Sequence, residues 1–473
     1  MPISFSAAPG AAPSTRTLES TDLATADVSA GRGISAFRME RTHPSLVTDG
    51  VAAHEQTLAV GNPFWVFFVL NTGIATWLIG VLVAVMGLDF TQAMGVILIG
   101  SAVGGALPAA MAVLGPRTRL PQLEVGRFAL GATGKRLPAL LNWIGAIGWD
   151  VVFNSLAAAA LIALAAGSGL GLPSWLAFGI LVALQLLVGL WGHHLIQATA
   201  RWLGLLLGLA FAILGVVAVA RTGVAVTGVA APIGAVFAAL LLVVSYSITL
   251  APYAADYTRY LPAATPGRRV FVPVFAGLFT ASVAFCFFGW ATASLVTEPS
   301  PVAVMDALKT LAGPFAPVVL FLVALNSVPC NAVNDNSAAY SLISAGVRIS
   351  RPLTAVIGAV LGYVVCLLAS DDFVAFFENF LFLFAHGIAP WAAVLLTHWL
   401  MVGDRQGTPA GITVGCGIFV AVTIASIGLF SANSLYTGLL SERIGGADVG
   451  PYLGFAAAAL LEASWLRFGR KGP

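Results

Sequence analysis

The chain has 473 residues, of which 59% are hydrophobic and only 9% charged, and its mean hydropathy is +0.94. Apolar runs of about 18 residues or more recur along it, each long enough to cross a bilayer as a helix, so a soluble globular protein is excluded. A formal net charge of +2 is not the basic footprint that nucleic-acid binding needs, which leaves lipid as the expected surroundings and an all-α polytopic protein of the cell membrane as the expected class.

Residues 1–60 are rich in Ala, Ser, Thr, Gly and Pro and are expected to form a disordered cytoplasmic tail, because they hold too little apolar surface for a core. They lack the charged start, apolar centre and cleavage site of a signal peptide. Twelve spans are predicted after them, near 62–87, 91–115, 137–167, 173–193, 201–221, 230–254, 269–297, 315–347, 352–370, 372–401, 409–431 and 450–467. Loop charge supports this count. With the tail inside, nineteen of the 22 Lys and Arg residues fall on the cytoplasmic side and only Arg221, Lys309 and Arg443 outside. That is the positive-inside pattern, with both termini cytoplasmic. The expected organisation is the tail (1–60), a ten-span core (61–402, with halves at about 62–221 and 230–401), and a segment (403–473) with two more spans and a short cytoplasmic tail.

Polar groups within the spans are costly in lipid and therefore mark candidate functional positions. Span 1 carries "VLNTGIAT", where Asn71, Thr72 and Gly73 interrupt an apolar run. Span 3 carries "NWIGAIGWDVVFNSL", which places Trp149 on the face of Asn142, and Asp150 and Asn154 on the neighbouring stripe. Such a wall suits a flat polar ligand, although Trp149 would equally fill a gap between helices and Asn154 join two of them. In span 6, Tyr246 and Ser247 precede Pro252, and proline removes a backbone donor. Two interrupted spans at corresponding places in two halves point to the central site of a transporter.

Span 8 has the densest polar group, "CNAVNDNSAAYS" (330–341), with Asn331, Asn334, Asp335 and Asn336 in six residues. An Asn side chain offers one acceptor and two donors, the set by which Asn reads an adenine edge; the same amides would also serve to join helices. In span 10, Glu378 is the third carboxyl within an apolar run, beside Asp150 and Asp335, and His386 follows it by two turns. The cysteines (Cys286, Cys330, Cys366, Cys416) have no pair spacing and read as packing residues, neither metal ligands nor disulfides. No H-E-x-x-H or G-x-S-x-G arrangement occurs, so neither an enzyme nor a cofactor is expected.

The segments "GRGISAFRMERT" (31–42), "GPRTRLPQLEVGRFALGATGKRLPALLNWIGAIGW" (115–149), "APYAADYTRYLP" (251–262), "NDNSAAYS" (334–341) and "FENFL" (377–381) resemble the purine–cytosine permease type of the nucleobase–cation symporter family. The resemblance implies a LeuT-like five-plus-five inverted repeat with two further helices, alternating access, and symport of a nucleobase or related heterocycle with a cation. It implies stacking of the substrate between Trp149 and an aromatic of span 6, here Tyr246 with Ser247 beside it, and an edge held by Asn334 and the other span 8 amides. Asn71, Asn154 and Asn336 complete the expected substrate-binding set.

The chain departs from the family in placing Asp150 directly after the stacking ring, and Phe153 rather than an amide four residues after it. Sodium-coupled relatives carry two hydroxyls just before the recognition amide, where this chain has Ala332 and Val333. Proton coupling through Asp150, Asp335 or Glu378 is therefore expected in preference to sodium. Two alternatives stay open at this point: a sodium-coupled symporter of another heterocycle (allantoin, a hydantoin, a vitamin precursor), and a non-transporting membrane protein with a polar core.

Overall fold

The structure, a computed structural model, describes residues 45–191, 193–222, 230–296, 298–347, 349–368, 372–403 and 407–469. The expected tail up to residue 44, with Arg16, Arg32, Arg38 and Arg41, lies outside the described residues, as do Arg348, Arg405, Arg470 and Lys471.

Each of the twelve expected spans contains a helix. Among the described residues, seven helices are long and apolar enough to cross a membrane, and the pair Asn62–Asn71 and Ile74–Val85, bent by 50°, makes an eighth if counted as one span. Ser174–Val188, Pro352–Leu368 and Val414–Phe430 are apolar but shorter, and span 12 is the 15-residue helix Gly450–Ser464. Among the described residues no strand forms, since a bilayer admits helices or closed barrels only. Both expected interruptions are present. Span 1 breaks at Thr72 and Gly73, with Gly73 at φ +152°. Span 6 ends its regular helix at Ile248 and continues as a short 3-10 turn, Ala251–Tyr253, and the helix Ala254–Thr258.

The helix Pro301–Ala312, between spans 7 and 8, was not expected. It is too short and too charged for a span, yet Val304, Met305, Ala307, Leu308 and Leu311 share a buried face. That spacing is helical and legible in the sequence; hydropathy alone passes over it.

The expectation of a tail running to residue 60 needs correction for its last part. Val47 and Val51 are buried, and the Gln56 amide donates to the carbonyls of Pro116 (3.1 Å), Arg259 (3.1 Å) and Leu261 (2.9 Å). Those carbonyls follow spans 2 and 6, where helix ends leave acceptors unpaired. A polar composition is therefore compatible with order here, because the segment is held by hydrogen bonds rather than by a core of its own. At the same end of the bundle, Glu124 forms ion pairs with Lys135 and with Arg127 (3.3 Å), and Asp256 accepts from Gln122 N at 2.9 Å.

Span 7 (Gly267–Thr292) lies along both halves of span 1, and span 8 (Ala316–Ser344) along span 3 (Arg136–Gly167). Small residues allow the first approach: a Cβ on Gly289 would collide with the Trp77 carbonyl, and one on Gly80 with the Cys286 carbonyl. In lipid such backbone contact replaces hydrophobic drive as the source of helix association. Gly289→Leu should destabilise the protein by about 1–3 kcal/mol, the usual cost of overpacking. Thermal melting of purified protein in detergent checks this, with Gly95→Leu, where an added Cβ meets nothing within 4 Å, expected to melt as the parent does.

Candidate functional site

Between the two interruptions lies a hollow lined by Leu70, Asn71, Trp149, Phe153, Tyr246, Leu250, Tyr253, Cys330, Val333 and Asn334. It is narrow, about 10 Å³, the room of about one water. Aromatic rings make one wall. Trp149 meets Tyr246 edge-on at 5.4 Å between centroids, Phe380 edge-on at 5.4 Å, and Phe153 stacked at 5.4 Å. The indole Nε1 of Trp149 is buried with no protein acceptor, and Asn71 Oδ1 is buried with no donor. Asn71 Nδ2 instead donates to the hydroxyls of Ser282 (2.6 Å) and Ser247 (3.2 Å), so Ser247 braces the wall without lining the hollow.

Asn334 reaches the same hollow from span 8, but its amide is already engaged. Nδ2 donates to the Ala146 carbonyl (2.5 Å) and to Asp150 Oδ1 (2.6 Å), while Oδ1 accepts from the Tyr253 hydroxyl at 2.5 Å. Behind it the Asp150 carboxyl has that of Asp335 as its neighbour. Asp335 Oδ2 also accepts from Gln185 Nε2 at 3.3 Å. Gln185 Oε1 accepts in turn from Asn154 (3.1 Å) and Asn331 (2.9 Å), and Asn331 donates to Asn154 Oδ1 at 2.9 Å. All of these side chains are buried. The polar cluster thus runs from Tyr253 at the hollow through span 8 to span 4.

Of the residues expected at the site, the structure brings Trp149, Tyr246, Asn71 and Asn334 together around the hollow and sets Asp150 and Asp335 directly behind it. Asn154 belongs to the amide cluster instead. Asn336 lies one helical face away and donates to the Tyr257 hydroxyl at 3.4 Å. Glu378 is separate: it lines a second hollow with Ala375, Asn379, Phe382, Asn433 and Ser434, because it lies near the start of span 10 whereas the acid pair sits mid-span. His386 does not join Glu378 either; its ring nitrogens meet Ser426 (2.6 Å) and Asp448 (3.0 Å).

Tyr253 and Gln185 were missed. Tyr253 follows Pro252 in the opened part of span 6, so its position was flagged while its side chain was not. Gln185 is a lone amide in "LVALQLLVGL", visible to a census of all polar groups and hidden from one of carboxyls alone.

Comparison with known proteins gives the family and the fold. Residues 51–415 match the model of a family described as "Permease for cytosine/purines, uracil, thiamine, allantoin". The putative purine-cytosine permease YxlA of Bacillus subtilis is 26% identical over 422 residues, 84% of this chain and 90% of its own. The purine-cytosine permease FCY2 of Saccharomyces cerevisiae is 24% identical over 435 residues, 85% of this chain and 81% of its own. Among solved structures, Mhp1, a nucleobase-cation-symport-1 family transporter in a closed conformation with bromovinylhydantoin bound, superposes with a TM-score of 0.74 at 17% identity, covering 91% of this chain and 96% of its own. The fold is therefore the LeuT-like one, in a multi-pass membrane transporter rather than an enzyme, and the chain belongs to the permease family for cytosine/purines, uracil, thiamine and allantoin.

Proposed function

We propose that the protein is a symporter that carries a nucleobase or a similar flat nitrogen heterocycle across the cell membrane together with a proton, its termini on the cytoplasmic side. One observation carries the reading: Asn334 lines the hollow between the two broken spans and is at the same time hydrogen-bonded to Asp150, whose carboxyl neighbours that of Asp335 and would share a proton with it. A ligand that engages Tyr253 or Asn334 competes with the bonds that steady Asp150. Ligand occupancy and the position of the proton are then linked through a single amide, the coupling that symport needs. Two carboxyls out of water are well suited to exchange one proton.

The narrow hollow admits a six-membered ring only when its aromatic wall parts. Opening of such a site to one side at a time is the gating expected of a transporter with interrupted helices. Trp149 contributes ring area to that wall and no hydrogen bond to the protein. The substrate-binding set proposed from the geometry is Trp149, Tyr246, Asn71 and Asn334, with Tyr253 added. Glu378 is left out of the coupling because it opens on a different hollow.

Three outcomes are expected. Uptake of a nucleobase by proteoliposomes should persist when choline replaces sodium, rise with an inward proton gradient, and lose that pH dependence in Asp150→Asn but keep it in Glu378→Gln. A strict sodium requirement in the parent protein would overturn the proton assignment. Asn334→Ala should weaken substrate binding by roughly ten- to a hundred-fold, since a buried polar group left unpaired costs about 1–3 kcal/mol; competition binding on purified protein measures this, and unchanged affinity argues against a role for Asn334. Trp149→Phe should retain measurable uptake and Trp149→Ala lose most of it; equal loss would mean that the indole N–H, rather than the ring face, holds the ligand.

A further inference from the structure

The break in span 1 exposes a run of carbonyls at membrane depth, and each of them has a donor from the protein. Phe68 O accepts from Thr72 Oγ1 (2.7 Å), Val69 O from Thr72 N (3.1 Å), and Leu70 O from the Tyr246 hydroxyl (3.5 Å). Asn71 O accepts from Thr76 Oγ1 (2.8 Å), Thr72 O from Asn326 Nδ2 (3.0 Å), and Gly73 O from Trp77 N (3.1 Å). The Cys330 thiol lies 3.8 Å from Val69 O as well. In transporters the carbonyls of a broken helix are places where a coupling cation binds, since the end of a half-helix carries partial negative charge.

The Asn326 amide stands at that place from span 8. It is 5% exposed. Its orientation is consistent at both ends: Nδ2 meets the Thr72 carbonyl while Oδ1 faces Cys330 Sγ at 4.0 Å. Gly73 makes room for it, because a Cβ there would lie 2.5 Å from Asn326 Nδ2.

The geometry points to Asn326 as a positioning residue whose amide N–H, in place of a bound cation, joins the broken span 1 to span 8. This inference deepens the proton-symport reading and rests on it. A cation that joins the two spans only when bound makes their closure ion-dependent. A covalently held amide donor makes the same junction permanent and leaves the acid pair on spans 3 and 8 as the ion-responsive element.

The test uses the full-length protein with two substitutions and two readouts, one of which needs no substrate. Asn326→Ala removes the donor. Asn326→Asp keeps the shape and sets a carboxylate beside the Thr72 carbonyl, oxygen ligands of the kind hard cations prefer. At pH 8 the melting temperature of the parent protein should be the same in sodium chloride and choline chloride, and that of Asn326→Asp should rise in sodium, as linkage requires of a ligand that binds the folded state. Nucleobase uptake should fall at least ten-fold in Asn326→Ala in either salt, and in Asn326→Asp should recover several-fold when sodium replaces choline. Stabilisation of the parent by sodium, parental uptake in Asn326→Ala, or an Asn326→Asp protein indifferent to sodium would each overturn the assignment. A parent that takes up no heterocycle would count against the transport reading alone, since the melting experiment still decides the role of Asn326.

Discussion

Every backbone carbonyl inside a bilayer must find a donor within the protein, and the break in span 1 is where this chain meets that demand by tertiary contact. An unbroken helix would satisfy Phe68 to Gly73 by itself. Once Thr72 and Gly73 depart from helical geometry, backbone N–H groups of span 1 are joined by side-chain donors from three places: hydroxyls on span 1, the Tyr246 phenol on span 6 and the Asn326 amide on span 8. Those donors converge on the break, and the hollow lies among the elements they tie. The site follows from the repair of the backbone.

The second constraint is the cost of burying acids. An isolated carboxylate out of water is far too unfavourable to persist, so it is paired, hydrogen-bonded or protonated. Here the pairing is between two acids, and the surrounding donors are amides: Asn334 on one side, Gln185 with Asn154 and Asn331 on the other. A buried network of this kind is stable only as far as its members satisfy one another. Among the buried side-chain atoms without a protein partner are Trp149 Nε1 on span 3, Asn71 Oδ1 on span 1 and Asn331 Oδ1 on span 8. Two of these belong to residues lining the hollow.

The last two spans use titratable groups in a different way. His386 of span 10 is held between Ser426 of span 11 and Asp448, whose other oxygen accepts from Gly450 N at the start of span 12. His398 meets Glu462 of span 12 at 3.3 Å. These pairs fasten the C-terminal helices to span 10 and leave the central acid pair to spans 3 and 8.

Local patterns in the chain were enough for the solvent, the apolar helical segments, the two interruptions and several of the buried polar residues, though not for Tyr253, Gln185 or Asn326. Each rests on information local to the chain: hydropathy over about twenty residues, a glycine or proline within an apolar run, or a carboxyl where lipid forbids one. Such patterns did not determine which of those polar residues face one another. Asn154 and Asn334 read alike as candidate recognition amides, yet one closes an amide cluster with Gln185 and the other reaches the hollow. Asp335 and Glu378 read alike as unpaired acids, yet only Asp335 meets Asp150. How spans 3, 4, 8 and 10 are turned and set against one another decides both, and that arrangement depends on side-chain packing between segments distant in the chain, which no local pattern encodes.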